Sequence, residues 1–177
     1  QEVIKFTNVY FKEFIKDSLK YLIVIAIVFF IALFVISFEQ VVGPSMKGTL
    51  DAGDVTIVNK LVYKFRTIKR NEIVSINQKD KIMVKRVIGL PGEHIEYKDN
   101  KLYVNGSLVL ENNISVETKD FKLEDIGYET IPKDMYFVLG DNRTNSSDSR
   151  EFGLVKKDEI IGKIVMRLYP FSKIKFY

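Results

Sequence analysis

Ser45 and Lys85 are the residues whose types and surroundings could do chemistry together. A serine hydroxyl is a weak nucleophile and attacks a carbonyl only when a base takes its proton. Histidine is the usual base, and the chain has one, His94, just after the Pro91-Gly92 turn. Counting residues does not exclude a triad through His94, but nothing around it has a catalytic pattern. A surface histidine beside a turn accounts for it better. The other available base is a lysine in its neutral form. An ordinary lysine titrates at about 10.4, so it serves near neutral pH only where burial disfavours its charge.

Lys85 sits in the run Ile82-Met83-Val84-Lys85-Arg86-Val87-Ile88. In a strand, Met83, Lys85 and Val87 share one face and Ile82, Val84, Arg86 and Ile88 the other. Neither face is polar, which predicts a central strand buried on both sides. A single strand lysine is ordinarily exposed or snorkelling, but two consecutive cations in a buried strand need compensation. Residues 140–150, Gly-Asp-Asn-Arg-Thr-Asn-Ser-Ser-Asp-Ser-Arg, follow a strand-like segment and could supply it. They read as a plain turn-rich loop. They also read as a polar network, with Asp148 paired to Arg86 or Arg150 and a serine hydroxyl orienting the lysine amine. A calcium loop fails, because Arg143 stands at a ligand position, the central glycine is missing and Phe152 replaces the bidentate Glu.

The elements that must position these residues begin with an apolar stretch. Residues 21–38 (YLIVIAIVFFIALFVISF) form a helix of about 27 Å against a hydrocarbon core of ~30 Å. Lys20 and Tyr21 can make up the difference by snorkelling. A cleaved signal peptide is the alternative, but its apolar core is usually shorter and Ser37-Phe38-Glu39 is a poor small-residue exit. An uncleaved anchor is therefore expected. Residues 1–20 carry Lys5, Lys12, Lys16 and Lys20, whereas 39–58 carry only Lys47. The positive-inside rule then places the N-terminus in the cytoplasm and Ser45 outside. Val3, Phe6, Tyr10 and Phe14 give the tail weak amphipathic spacing, as for a helix lying on the inner membrane surface.

Beyond Gly43, short β-branched and aromatic runs alternate with turn signals. Strands are expected at 55–63, 72–77, 82–88, 101–104, 108–110, 135–139 and 161–169. Asn105-Gly106 between two of them is a two-residue hairpin signal, since a type I′ turn needs two positive φ angles. The polar stretch 111–129 belongs to an inserted lobe at about 98–131. The predicted fold is mainly β: an antiparallel, coiled or barrel-like sheet over 39–177 behind one transmembrane helix. With tail and anchor set aside, about 138 residues remain, enough to bury a real core in one domain. The net charge of +4 is interleaved along the chain, which argues against a nucleic-acid stripe. The absence of cysteine excludes disulfides and thiolate metal sites.

Four segments taken in order resemble the type I signal peptidases, the Ser-Lys proteases that remove signal peptides from exported proteins. They are Gly43-Pro44-Ser45-Met46-Lys47-Gly48-Thr49-Leu50, Arg70-Asn71-Glu72-Ile73-Val74, Lys85 through Glu93, and the run from Gly140 to Arg150. The resemblance spans the anchor to the C-terminal region. It implies Ser45 as nucleophile, Lys85 as general base, and Ser146 as the serine that positions the lysine amine. It implies that Asp148 bridges Arg86 and Arg150, with Asp141 in the same network. The oxyanion hole would use the Ser45 N–H and a donor at Gly43, necessarily main-chain because glycine stands here in place of the serine that some members have. Small substrate residues are wanted at the first and third positions before the cut. Val41, Met46, Leu50, Met83 and Val84 are near enough in sequence to line those pockets, or are ordinary core. The expected partners are signal peptides of preproteins and the lipid bilayer, with no nucleic acid, cofactor or metal.

The departures are Gly48 for a frequent proline, Asn71-Glu72 for Gly-Asp, Thr144 for a common aspartate and Phe152 for a common tryptophan. None is a catalytic position. Lysine at 85, where the reticulum-type branch has histidine, implies the bacterial or organellar branch, and the single span and small lobe imply its compact Gram-positive form. Two other readings remain: a membrane-tethered β-domain that only binds, and a self-cleaving Ser-Lys regulator of the SOS-repressor type.

Overall fold

The computed structural model describes residues 2–111, 114 and 117–177. Two compact units divide the chain at Ile36/Ser37. The first is a helix, α1 (Glu2–Phe30), whose last turns widen into a π-helical segment, Ile31–Val35. Residues Tyr10–Val35 are long and apolar enough to cross a membrane, and in this unit their side chains are solvent-facing. The helix thus starts well before residue 21 and stops before 38. Ile36, Ser37 and Phe38 continue the apolar pattern but are extended, in strand β1 (Ile36–Gln40). Hydropathy alone does not mark that change of backbone. The amphipathic face expected from Val3 and Phe6 lies outside the described side chains.

The second unit is mainly antiparallel β. After β1 come β2 (Val55–Asn59), the single turn α2 (Val62–Phe65), β3 (Ile73–Gln78) and β4 (Lys81–Gly89). Next are β5 (Ile95–Lys98), β6 (Lys101–Val104), β7 (Ser107–Val109) and β8 (Phe121–Lys122). The chain finishes with β9 (Met135–Leu139), α3 (Ser149–Phe152), β10 (Val155–Lys156), β11 (Ile160–Tyr169) and β12 (Lys175–Phe176). The large sheet runs β1-β2-β11-β3-β4-β9-β10, with β12 also on β11, and the small sheet runs β7-β6-β5-β8. The strand expected over 55–63 ends at Asn59, because the Asn59 side chain accepts the N–H groups of Leu61 and Val62 and starts the turn of α2.

Two-residue turns set the hairpin registers. Asn105 and Gly106 both have positive φ, as the sequence required, and so do Lys79-Asp80 between β3 and β4 and Asp99-Asn100 between β5 and β6. The small sheet runs from Ile95 to Lys122, overlapping the stretch at about 98–131 that was expected to form an inserted lobe. Its residues 112, 113, 115 and 116 lie outside the described residues.

One core cluster joins the two sheets: Ile88, Phe137 and Leu139 of the large sheet meet Ile95, Tyr97, Leu102 and Phe121 of the small one. Phe137 is fully buried and stacks on Phe121 with ring centroids 5.2 Å apart. A second cluster (Val74, Ile76, Val87, Val138) and a third (Val41, Met46, Leu50, Val58, Ile73, Val84, Ile164) pack elsewhere on the large sheet. Phe137→Ala removes the ring that joins the sheets and should cost about 3–5 kcal/mol of unfolding free energy. Urea denaturation of the protein in detergent would measure that loss.

Candidate active site

Strand β4 is paired with β3 on one side, Val74 facing Lys85 and Ile73 facing Arg86. On its other side β9 pairs only with the stretch from Arg86 to Gly89. Residues 81–85 therefore keep one free edge. From Val84 onward the strand is buried as the sequence predicted, whereas Ile82 is exposed. Lys85 is only 2% exposed. Its Nζ lies 3.0 Å from Ser45 Oγ and donates to it.

Ser45 is carried by a tight turn between β1 and β2. Lys47 N–H donates to the Pro44 carbonyl at 3.1 Å, and Leu50 N–H to Met46 at 2.8 Å. Gly43 has φ +84°, a conformation that side chains with a Cβ rarely adopt. The N–H groups of Gly43 and Ser45 have no acceptor among the described residues. Val41 pairs with the loop after the turn, its N–H donating to Asp54 and its carbonyl accepting from Gly53.

The loop that follows β9 holds this turn from the other side. Asn142 N–H donates to the Ser45 carbonyl at 2.9 Å, and Asn142 Nδ2 donates to the Pro44 carbonyl at 3.1 Å. A Cβ at Gly140 would collide with Ser146 Oγ and the Ser45 carbonyl, so only glycine allows the two segments this close. Nothing local marks Asn142 as a clamp on a serine almost a hundred positions away. Its place in the quoted Gly140-Asp141-Asn142-Arg143 run was the available signal.

The arginines distribute differently from expectation. Arg86 forms a bidentate pair with Asp141, Nε to Oδ1 at 2.7 Å and a second N–H to Oδ2 at 2.6 Å, and also donates to Thr49 of the serine turn. Asp148 does not bridge Arg86 and Arg150. It pairs with Arg150 alone, at 2.8 Å through each oxygen, and accepts the Gly140 N–H. The reason is reach: Asp148 caps α3, which carries Arg150, while Asp141 lies at the end of the strand beside Arg86. Arg143, unassigned from sequence, is buried and bonds Gly140, Tyr97, Glu111 and Thr118, tying the loop to the small sheet. His94 pairs with Glu124 on the surface at 3.0 Å and takes no part in the site.

Burial pushes the Lys85 amine below the ordinary lysine range, and the charges of Asp148 and Glu151 oppose that shift without overcoming it. Ser146 Oγ is buried, has no hydrogen-bond partner among the described residues and makes no bond to Lys85. A cleft of about 230 Å³ opens beside the dyad, lined by Glu39 to Ser45 from the β1 side, Ile82 to Lys85 from β4, and Asn145 to Ser147. Val41, Met83 and Val84 line it. Met46 and Leu50 do not: both are wholly buried in the core under the turn. The much larger cavity of about 730 Å³ lies around Lys60, Tyr63, Met135 and Ile160, away from Ser45.

A serine hydroxyl beside a desolvated lysine amine, with free N–H donors at the mouth of a cleft, could do the chemistry of a hydrolase, and relatives give the chain a family. Residues 12–169 match the family model described as signal peptidase, peptidase S26. The chain belongs to that family. It is 42% identical to signal peptidase I of Bacillus caldolyticus, covering 87% of this chain and 91% of that one. It is 46% identical to signal peptidase I V of Bacillus subtilis, covering 71% and 81%. A crystal structure of a signal peptidase I from Enterococcus faecalis V583, 37% identical, superposes with a TM-score of 0.50 over 56% of this chain and 98% of that one.

The buried lysine leaves a thermodynamic signature. Below its native pKa, Lys85 is protonated in both folded and unfolded states and its full desolvation cost opposes folding. Between that value and about 10.4 the unfolded chain holds more protons, so stability rises with pH, and above it the cost is gone. Lys85→Met keeps the shape and removes the charge. It should stabilise the protein by roughly 1–3 kcal/mol at neutral pH. The difference from wild type should vanish on the alkaline side, as thermal unfolding across pH would show.

Proposed function

We propose that this protein is a membrane-anchored serine endopeptidase that removes N-terminal signal peptides from exported preproteins, with Ser45 as nucleophile and Lys85 as general base. The observation that carries the reading is the 3.0 Å contact between the buried Lys85 amine and Ser45 Oγ. In the neutral amine the lone pair accepts the hydroxyl proton as Oγ attacks the scissile carbonyl carbon. Lys85 then passes that proton to the departing amine as the C–N bond breaks. A water deprotonated by the same lysine attacks the acyl ester, and Ser45 recovers its proton. The Ser45 and Gly43 N–H groups meet the developing oxyanion, each contributing about 3–4 kcal/mol. Ser146 positions the amine by turning its hydroxyl toward it.

The free edges of β1 and of residues 81–85 face one cleft, which suits a peptide bound as an added strand. Val41, Met83 and Val84 on its walls favour small apolar residues before the cut. The apolar helix is read as a single-pass anchor, and the lysine-rich tail places the N-terminus in the cytoplasm and the site outside. Few residues separate helix and serine, so the site works at the outer bilayer surface where signal-peptide cut sites emerge. Sharing a membrane with the substrate raises the effective concentration of both.

Cleavage of a preprotein with an Ala-x-Ala site by the purified protein in detergent tests the reading. Ser45→Ala and Lys85→Ala should each abolish cleavage, and cleavage surviving both removes the dyad. The ascending limb of kcat/KM against pH should lie below the ordinary lysine range. Glu151→Gln removes a charge that favours protonated Lys85, so the limb should move to lower pH.

A further inference from the structure

Four buried side-chain polar atoms lack a hydrogen-bond partner among the described residues: Ser37 Oγ, Glu39 Oε2, Ser75 Oγ and Ser146 Oγ. They are not scattered. Glu39 and Ser146 line the Ser45 cleft. Ser75 stands opposite Val84, which lines it too. Strand alternation puts Ser37 on the same face of β1 as Glu39. Buried polar groups are paired in the great majority of cases, so a set of orphans around one cleft marks where a ligand's polar groups belong.

Ser146 already has a place in the chemistry, but Glu39 has none. It shares the cleft with the aliphatic Val41, Val42, Ile82, Met83 and Val84 and with the polar Gln40, Ser45, Lys85 and residues 145–147. Burial pushes its carboxyl above the usual range, with the Ser75 hydroxyl opposing. A carboxyl among aliphatic side chains is an odd wall for a pocket that takes only small apolar residues. The orphan set offers an acceptor in Glu39 Oε2 and a hydroxyl donor in Ser37, while the Ser75 hydroxyl is close enough to Glu39 to act on its carboxyl. A serine or threonine hydroxyl donates and accepts at once, whereas an ammonium only donates.

We infer that Glu39 is a specificity-determining residue that accepts a hydrogen bond from a serine or threonine side chain of the bound signal peptide. The inference rests on the peptidase reading above. A site built to bond a hydroxyl discriminates against the isosteric apolar analogue, because that analogue leaves the buried acceptor unpaired. Threonine and valine have the same shape, so they isolate the effect.

The experiment compares kcat/KM of the full chain in detergent on signal-peptide substrates carrying Thr or Val, in turn, at each residue before the cut. At one position Thr should exceed Val by about tenfold. Glu39→Leu should abolish or invert that ratio, and Glu39→Gln should keep it, because a carboxamide oxygen still accepts. A flat ratio at every position in the wild type overturns the inference, whether or not the leucine variant folds. An unchanged ratio in Glu39→Leu, or its loss in Glu39→Gln, overturns it as well. Cleavage of no peptide overturns the peptidase reading and this inference with it, whereas cleavage without discrimination overturns this inference alone.

Discussion

The site depends on keeping one lysine amine out of water and within reach of one serine hydroxyl. Charge would have to be disfavoured at Lys85 for its lone pair to be available, and the fold disfavours it by placing the residue in a strand with buried neighbours on both sides. That burial works against folding at neutral pH, so the surrounding core must offset it. The cluster of Met46, Leu50, Val58, Ile73 and Val84 beneath the serine turn serves both ends. It dries the lysine and fixes the turn that carries Ser45.

Carboxylates near such a lysine are a hazard, because each one favours the protonated amine. Asp141 and Asp148 are both buried in the loop beside it. Each is matched to its own guanidinium, Arg86 and Arg150 respectively, and Asp148 also accepts the Gly140 N–H. Two carboxylates thus serve the two arginines, where one carboxylate bridging both had been expected. The pairing also does structural service. Through Arg86 the network reaches Thr49 on the serine turn, and through Arg150 it reaches the Arg143 carbonyl. Arg143 extends the network to the small sheet, which makes that lobe a buttress of the catalytic loop.

Much of this was legible in the residues because the signals were local. The type I′ turn at Asn105-Gly106, the two-faced burial around Lys85 and the polar run after β9 each follow from a few adjacent positions. The misread features were non-local or masked by hydropathy. Residues 36–38 look like membrane helix because their side chains are apolar, yet they turn extended to begin β1. Met46 and Leu50 lie near Ser45 in sequence, but the tight turn sends both side chains into the core. The alternating Ile95-Glu96-Tyr97-Lys98 was a readable strand hidden by its brevity. Asn142 and the Asp141–Arg86 pair need contacts across half the chain, and no spacing rule encodes those.

The sheet order places β1 and β4 apart, with β2, β11 and β3 between them, yet both line one cleft. The large sheet must therefore curl until the edge of β1 faces residues 81–85. Exposed strand edges are usually blunted because they recruit other chains. Here both are left free beside Ser45 and Lys85, where the proposed function would recruit an extended chain. The same curl brings Glu39 from β1 alongside the aliphatic wall of β4, and its neighbour Val41 into the core. On the proposed function, affinity would come from main-chain bonds common to any extended peptide, and discrimination would fall to the few side chains that project between those edges.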